Sequence, residues 1–461
     1  MSKKLKMSKY NYTAFDENGN LILYNFLTGL NSLSKVNKVD VEKFNKLFLS
    51  CDNVEYSSSD KYYSVVEKME EMGILVDVNI EESIYCDSLS YEDIFNSELV
   101  LTILPTGKCN FKCPYCFEND KSFCRAAMTM ENQNALLKFV QKTIPKHKSL
   151  TIGWFGGEPL LESQIIKYLS ENFIKICNTR FVSYSSEMTT NGFFLNETMF
   201  DMLYNLKIYN YQITIDGAKE HHDKYRITHD GKGTYDVIMS NLLKIKNSKN
   251  YKFARILLRV NVLKDSLEGL DEFIDYFSST FGDDDRFKIV FMPVANFSDE
   301  KISNIEKEKL TAEDIQGKLL ENTSYMKTVF NEKEARISSL TPKRKCVAAR
   351  KNTYVIAPDL SIYKCCIYFD HPTNKIGYIK SNGDLVIDER KHRKWYTMNK
   401  LFTSCIDCFY FPVCKSTACP IRMYSEKKDS VCSLKNDAFF KKISENIIYA
   451  SQHCNCKQLD L

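Results

Sequence analysis

The sequence has no long apolar run: nothing approaches the roughly 18 consecutive apolar residues that a membrane helix requires, and no membrane role is expected. Charge of one sign is lacking too. The 63 basic and 59 acidic residues nearly cancel to a formal +4, so neither an extended nucleic-acid surface nor a membrane-surface role is indicated. The start, MSKKLKMSKY, carries basic residues without the apolar stretch of a signal peptide, which predicts a cytoplasmic protein. No period of 20 to 50 residues recurs outside a strand–helix alternation, which excludes a solenoid. Histidine is scarce, at seven residues in 461.

Cysteine, by contrast, is abundant. Seventeen are many for a compartment where disulfides rarely persist, so metal binding or catalysis is the better reading of the clustered ones. Cys109, Cys113 and Cys116 fall within eight residues, and eight more lie between Cys346 and Cys432. Cys51, Cys86, Cys124 and Cys177 are scattered and read as small buried hydrophobes, while Cys454 and Cys456 form a terminal C-x-C pair of undecided role.

Three regions follow from pattern. In residues 1–90, YTAFDENGNLILYN predicts a hairpin about an Asn-Gly turn. Asp40 is expected to cap a helix bearing Val41, Phe44, Leu47 and Phe48, and a second helix carries Tyr62, Val65, Met69 and Met72 and stops at Gly73. A closing strand, ILVDV, completes a small winged-helix-like module. Residues 91–300 alternate six strand candidates (LVLTILP, LTIGWF, VSYSSEMTT, YQITID, ARILLRVNV, FKIVFMPV) with helices. That order predicts an α/β fold, a partial (β/α)6 TIM-like barrel with its chemistry at the C-terminal strand ends. Residues 301–340 read as a connecting segment and 341–461 as a cysteine-rich domain.

The spacing C-x3-C-x2-C supplies three thiolates. Four would close a structural zinc or a fully ligated cluster, whereas three can hold a four-iron cluster with one iron open to a ligand. Zinc bound by the triplet and a distant histidine is the plainer alternative, disfavoured because no histidine lies nearby.

With Tyr115 before Cys116, the triplet resembles the C-x3-C-x-aromatic-C signature of the radical S-adenosylmethionine (SAM) enzymes. The resemblance implies that the open iron chelates SAM and that reductive cleavage releases a 5′-deoxyadenosyl radical, with an electron donor such as flavodoxin or ferredoxin. Gly156, Gly157 and Glu158 in WFGGEPL resemble the family's Gly-Gly-Glu element, which binds the methionine amino group; the glycines would let backbone approach a ligand, or simply make a turn. The resemblance further marks Thr190 and Asn191 near the ribose, Asp216 at a strand end, and Arg226 as partner of the ligand carboxylate, with Arg259 and Asn261 as further candidates.

Cys346, Cys365, Cys405, Cys408, Cys414, Cys419 and Cys432 resemble the seven-cysteine SPASM domain. By position this implies two auxiliary [4Fe-4S] clusters, one on Cys346, Cys365 and Cys419, the other on Cys405, Cys408, Cys414 and Cys432, and three clusters in all. The sequence departs from the pattern: four residues separate Cys414 from Cys419, Leu360 replaces a glycine, and Cys366 adjoins Cys365, so either could be the ligand. Two zinc sites are the alternative. An open iron in the first cluster could bind a substrate thiolate.

The front module lacks a basic recognition helix, since VVEKMEEMG is acidic, which argues against DNA. It is similar instead to the leader-recognition elements of peptide-modifying enzymes, where a precursor's leader joins a sheet as an extra strand. The whole resembles a radical SAM/SPASM peptide maturase installing cysteine thioethers. Carbon–carbon crosslinking, sulfatase-maturase-like oxidation of a protein side chain, and a non-catalytic zinc protein are the rivals.

Overall fold

A computed structural model describes residues 3–49, 53–84, 94–118, 125–267, 269–294, 336–341, 346–397, 408–414 and 437–461. The chain divides into two compact units: Met1–Asn96 with Asn331–Cys346 and Tyr396–Leu461, and Ser97–Phe330 with Val347–Trp395. The connecting segment expected at 301–340 falls largely outside the described residues.

The first unit holds two small sheets. Strand β1 (Lys3–Met7) lies between β5 (Val54–Tyr56) and β6 (Leu75–Asp77), all antiparallel. The predicted hairpin forms as β2 (Asn11–Phe15) and β3 (Leu21–Asn25). Its turn is tied by Asp16 Oδ1, which accepts from the Asn18 and Asn20 N–H groups at 3.0 and 2.9 Å. β4 (Gly29–Val36) extends that sheet, and β17 (Lys457–Leu459) adds to β4 in parallel. The second expected helix is Tyr63–Glu71, with Val65, Val66 and Met69 buried. It ends as predicted at Gly73 (φ +70°), whose N–H reaches the Glu70 carbonyl while the Ile74 N–H reaches that of Met69, a Schellman closure. The first expected helix differs. Asp40 makes no side-chain cap, and only Val41–Phe44 is α-helical before the chain widens to a π-helix at Asn45–Leu49. The apolar pair still meets, with the Phe44 and Phe48 rings 4.9 Å apart. The final helix, Asp437–His453, contributes Ile443, Ile447 and Ala450 to an apolar cluster with Ile22, Tyr24 and Phe26.

In the second unit all six predicted strands form: β7 (Glu98–Ile103), β8 (Ser149–Trp154), β9 (Ser183–Thr190), β10 (Ile208–Thr214), β11 (Arg255–Val262) and β12 (Phe287–Pro293). They pair in sequential order and in parallel, with helices 130–143, 163–180, 197–205, 235–247 and 270–281 crossing over. This is the α/β partial barrel. The strands around TYVIAPDLSIYKCC do not belong to a separate C-terminal domain: β13 (Thr353–Ile356) adds in parallel to β7, and β14 (Ser361–Tyr363), β15 (Lys375–Ile379) and β16 (Leu385–Ile387) continue antiparallel. Residues 341–461, expected as one segment, thus divide between the two units. Among the described residues no helix is long and apolar enough to cross a membrane.

Candidate functional site

Every barrel residue singled out in the sequence sits in β7–β11, or in the chain that leaves one of these strands at its C-terminal end. The cysteine triplet follows β7. Cys113 is buried and Cys109 and Cys116 are half-buried. The loop is pinned by the Cys116 N–H to the Cys113 carbonyl (3.1 Å), by Lys112 N–H to the Ile227 carbonyl (3.0 Å), and by His229 Nε2 against the Cys109 carbonyl (3.0 Å). Cys109 Sγ accepts the Phe111 N–H at 3.4 Å.

The two glycines after β8 face this loop. A Cβ on Gly156 (φ +108°) would lie 2.4 Å from the Thr106 carbonyl oxygen, and one on Gly157 would lie 2.3 Å from that of Lys108. They therefore let two backbone segments meet at the entrance to the triplet, which is a structural reason beyond the ligand approach expected of them. Glu158 is fully buried. Its Oε1 accepts from Thr190 Oγ1 (2.7 Å) and the Leu160 N–H (3.0 Å), and its Oε2 accepts from the Asn191 N–H (2.7 Å). Glu158 thus ties the end of β8 to the end of β9, and burial raises its carboxyl above the ordinary range. Asn191 in turn donates to Asn110 Oδ1 at 2.8 Å, next to Cys109.

A second cluster forms after β10. The Tyr115 hydroxyl donates to Asp216 and accepts from Arg226 Nη1 at 3.2 Å. Asp216 Oδ1 accepts the Asn261 N–H at 3.3 Å, and Asn261 Oδ1 accepts Arg259 Nε at 3.0 Å. Burial pushes the Asp216 carboxyl up to about 6, against the opposing Arg226 charge. The structure therefore brings together Tyr115, Asp216, Arg226, Arg259 and Asn261, and separately Glu158, Thr190 and Asn191, with the triplet adjoining both through Tyr115 and Asn110.

Sequence reasoning missed His222. It is fully buried; its Nδ1 accepts the Asp216 N–H at 3.2 Å, and its Nε2 lies 3.0 Å from Thr234 Oγ1. Thr234 donates its own proton to the Arg226 carbonyl (2.7 Å), so the Nε2 nitrogen carries the imidazole proton. One neutral histidine thereby fixes both ends of the 216–226 segment. HHDKYRI gave no local sign of this, because the partners are backbone groups and a threonine eight residues beyond Arg226.

The triplet's surroundings suit a positively charged, thiolate-bound group. Burial pushes the Cys109 thiol up to about 12 and the Cys116 thiol up to about 11, and raises that of Cys113. Such thiols need a metal to ionise them. Three buried polar atoms around them (Arg226 Nε, Asn110 Nδ2 and Glu118 Oε1) have no hydrogen-bond partner among the described residues. Orphaned groups of this kind mark space for a polar ligand. Among the described residues no three Cys, His, Asp or Glu side chains converge on one metal ion. A four-iron cluster makes no such demand, since its thiolates each bind a different iron. The residues fit an iron–sulfur cluster with SAM beside it: Cys109, Cys113 and Cys116 would hold the cluster. When bound, these groups supply one-electron cleavage chemistry.

Residues 103–277 match the sequence model of the radical SAM superfamily. This region is a radical SAM domain. The chain is 28% identical over 333 residues to a cysteine-type anaerobic sulfatase-maturating enzyme of Clostridium novyi, spanning 68% of this chain and 85% of that protein. Its fold is similar to the solved structure of anSMEcpe with bound AdoMet and Kp18Cys peptide (TM-score 0.58, 20% identity, 77% of this chain and 98% of that one). It is also similar to Streptococcus suis SuiB bound to precursor peptide SuiA (TM-score 0.52, 15% identity, 93% of this chain and all of that one).

Of the expected auxiliary ligands, Cys405, Cys419 and Cys432 lie outside the described residues. Cys346 precedes a short 3-10 turn at Val347–Ala349 and is exposed. Cys365 follows β14, where its Sγ accepts the Ile367 N–H at 3.4 Å and its own N–H and carbonyl are clamped by the Asn374 side chain at 2.8 Å each. Cys366 instead packs on the apolar cluster of Leu104, Val355, Tyr363 and Phe369. Cys408 lies three residues before the short helix Phe411–Cys414, and Cys414 is its last residue.

Proposed function

We propose that this chain is a radical SAM enzyme that modifies a ribosomally made precursor peptide by 5′-deoxyadenosyl-radical hydrogen abstraction, installing cysteine thioethers. The observation that carries the radical chemistry is the cysteine triplet in the matched domain, beside three buried polar atoms that have no hydrogen-bond partner among the described residues. In this reading Arg226 and Asp216 bind the polar ends of SAM beside Tyr115, Glu158 positions Thr190 and Asn191, and the SPASM-like cysteines hold two further clusters. Residues 1–90 bind the leader. The edge strands β5 and β6 would accept it through main-chain hydrogen bonds.

Supporting the peptide substrate, the fold of SuiB, crystallised with a precursor peptide, is shared over 93% of this chain. The experiment is anaerobic turnover of a candidate precursor with mass spectrometry. A loss of two hydrogens per cysteine crosslink is expected with the full precursor, falling at least tenfold when the leader is removed. Undiminished processing of the leaderless core would contradict leader recognition. Deleting residues 1–90 is a poorer test, because helix 437–453 and β17 pack on the strands it would remove.

A second reading is favoured by the Clostridium novyi relative: oxidation of a cysteine side chain in a protein substrate, without a crosslink. Tandem mass spectrometry separates the two. Aldehyde formation with loss of sulfur supports oxidation, and retention of sulfur in a ring supports the thioether.

A further inference from the structure

We propose that the basic face of helix Glu389–Thr397 is the docking surface for an acidic one-electron carrier protein, of flavodoxin or ferredoxin type, which delivers its electron at Cys365. The helix has two unlike faces. His392 and Trp395, three residues apart, are buried, whereas Arg390, Arg393 and Lys394 are exposed and Lys391 is half-buried. Arg390 and Lys394 stand four residues apart and Lys391 and Lys394 three, so these cations leave the helix as one stripe. The two acids of the stretch are engaged locally: Asp388 Oδ1 accepts the Lys391 N–H at 3.0 Å, and Glu389 pairs with Arg393 at 3.7 Å. Arg390, Lys391 and Lys394 have no ion-pair partner among the described residues. Exposed Lys375 adjoins the start of the helix, since the Asp388 N–H reaches the carbonyl of its neighbour Ile376 at 2.7 Å.

A charged stripe alone is an ordinary solvated face. This one differs in what its buried side holds. The Trp395 indole N–H donates to the Thr373 carbonyl at 3.0 Å. The next residue, Asn374, accepts the Cys365 N–H and donates to the Cys365 carbonyl, each at 2.8 Å. His392 Nε2 lies 3.0 Å from the Lys351 carbonyl. Lys364, the residue before Cys365, is buried and donates to the Thr353 carbonyl at 2.8 Å, two residues beyond Lys351. The helix is thus tied at two points to the segments that hold Cys365, which keeps the stripe at a fixed distance from that thiol. Opposite charge draws a carrier in and orients it. One electron then leaves the reduced carrier and enters the cluster at Cys365, with no bond or proton exchanged. The proposal rests on the reading of Cys365 as an auxiliary cluster ligand.

The test uses the full chain, purified anaerobically and reconstituted. It is titrated by calorimetry with an acidic flavodoxin and with an acidic ferredoxin, at about 50 mM and about 300 mM salt. At least one carrier should bind at low salt and at least tenfold more weakly at high salt, and Arg390→Glu/Lys394→Glu should weaken that binding at least tenfold. Both side chains are exposed, so the variant's urea midpoint and its dithionite-driven 5′-deoxyadenosine release should match the wild type. In stopped flow, Cys365→Ser should bind the reduced carrier as the wild type does, yet oxidise it at least tenfold more slowly. Binding unchanged by the charge reversal, or no binding of either carrier, overturns the docking surface. Equal oxidation by Cys365→Ser overturns the entry point. A charge-reversed variant that loses precursor-peptide binding and keeps carrier binding gives the stripe to the peptide, which overturns the proposal too. Full iron content in Cys365→Ser contradicts the ligand reading beneath it, whatever the binding result.

Discussion

Gly157 shows how one side chain's absence shapes the site. With the Lys108 carbonyl oxygen 2.3 Å from any Cβ, Gly157→Ala must move the backbone that leads into Cys109. The expected cost is about 1–3 kcal/mol of stability, with loss of about four irons per chain from the triplet's cluster; an alanine variant with full iron content would contradict the packing role. Cys365 and Cys366 present a second contrast. Cys365 has its sulfur facing a backbone donor at 3.4 Å, the same arrangement as Cys109 and Phe111, whereas Cys366 packs on the apolar cluster around Tyr363 and Phe369. Cys365→Ser should therefore lose cluster iron and Cys366→Ser should not, and the reverse outcome would reassign the ligand. Leu360 explains another departure: it stands where the related pattern has glycine, and its φ is +64°, so the left-handed turn survives while the leucine side chain is buried.

Titration belongs to the residue scale too. Burial holds His392 down to about 4 and His222 well below its usual value, so both stay neutral when folded. Released by unfolding, each titrates near about 6.5. Between these values the unfolded chain binds more protons, so stability falls as pH drops from about 6.5 toward 4. The urea midpoint of the wild type should consequently drop more between pH 7.5 and 5.5 than that of His392→Gln. Equal drops would show that His392 contributes nothing.

At the scale of elements, legibility followed locality. The six barrel strands were readable because short strand-like runs, most of them rich in apolar residues, alternate with helices that show their own period, and even the polar SYSSEMTT of β9 falls in that alternation. KKLKM, which becomes β1, was not readable: it is short, basic, and a strand only because it lies between β5 and β6. Likewise β13 looked like part of a C-terminal domain, since nothing local announces that Thr353 pairs with Val100. The π-helical turn at Asn45–Leu49 keeps the expected apolar pair in contact while abandoning the expected hydrogen bonding. The site was legible where motifs carry it, in the triplet and Gly-Gly-Glu, and illegible where backbone partners do, as at His222. The chain end offers an element-scale test. Leu459 in β17 is buried among Leu21, Leu23 and Val36, so Leu459→Ala should cost about 2–4 kcal/mol in chemical unfolding. A neutral result would mean that β17 is not integral to the first unit.

For the whole molecule, the units divide differently from the linear regions: the chain's beginning and end share one unit, and the radical SAM domain lies in the other. In the proposed reading, chemistry at the domain depends on three thiols gathered after one strand, with polar groups from the next four strand ends around them. The most direct measurement is 5′-deoxyadenosine released when the reconstituted, reduced chain is given SAM. The wild type should yield it, and the Cys109→Ala/Cys113→Ala/Cys116→Ala variant should yield none above background. A wild type that binds four-iron clusters yet never cleaves SAM, or a triple variant that still does, would contradict the account.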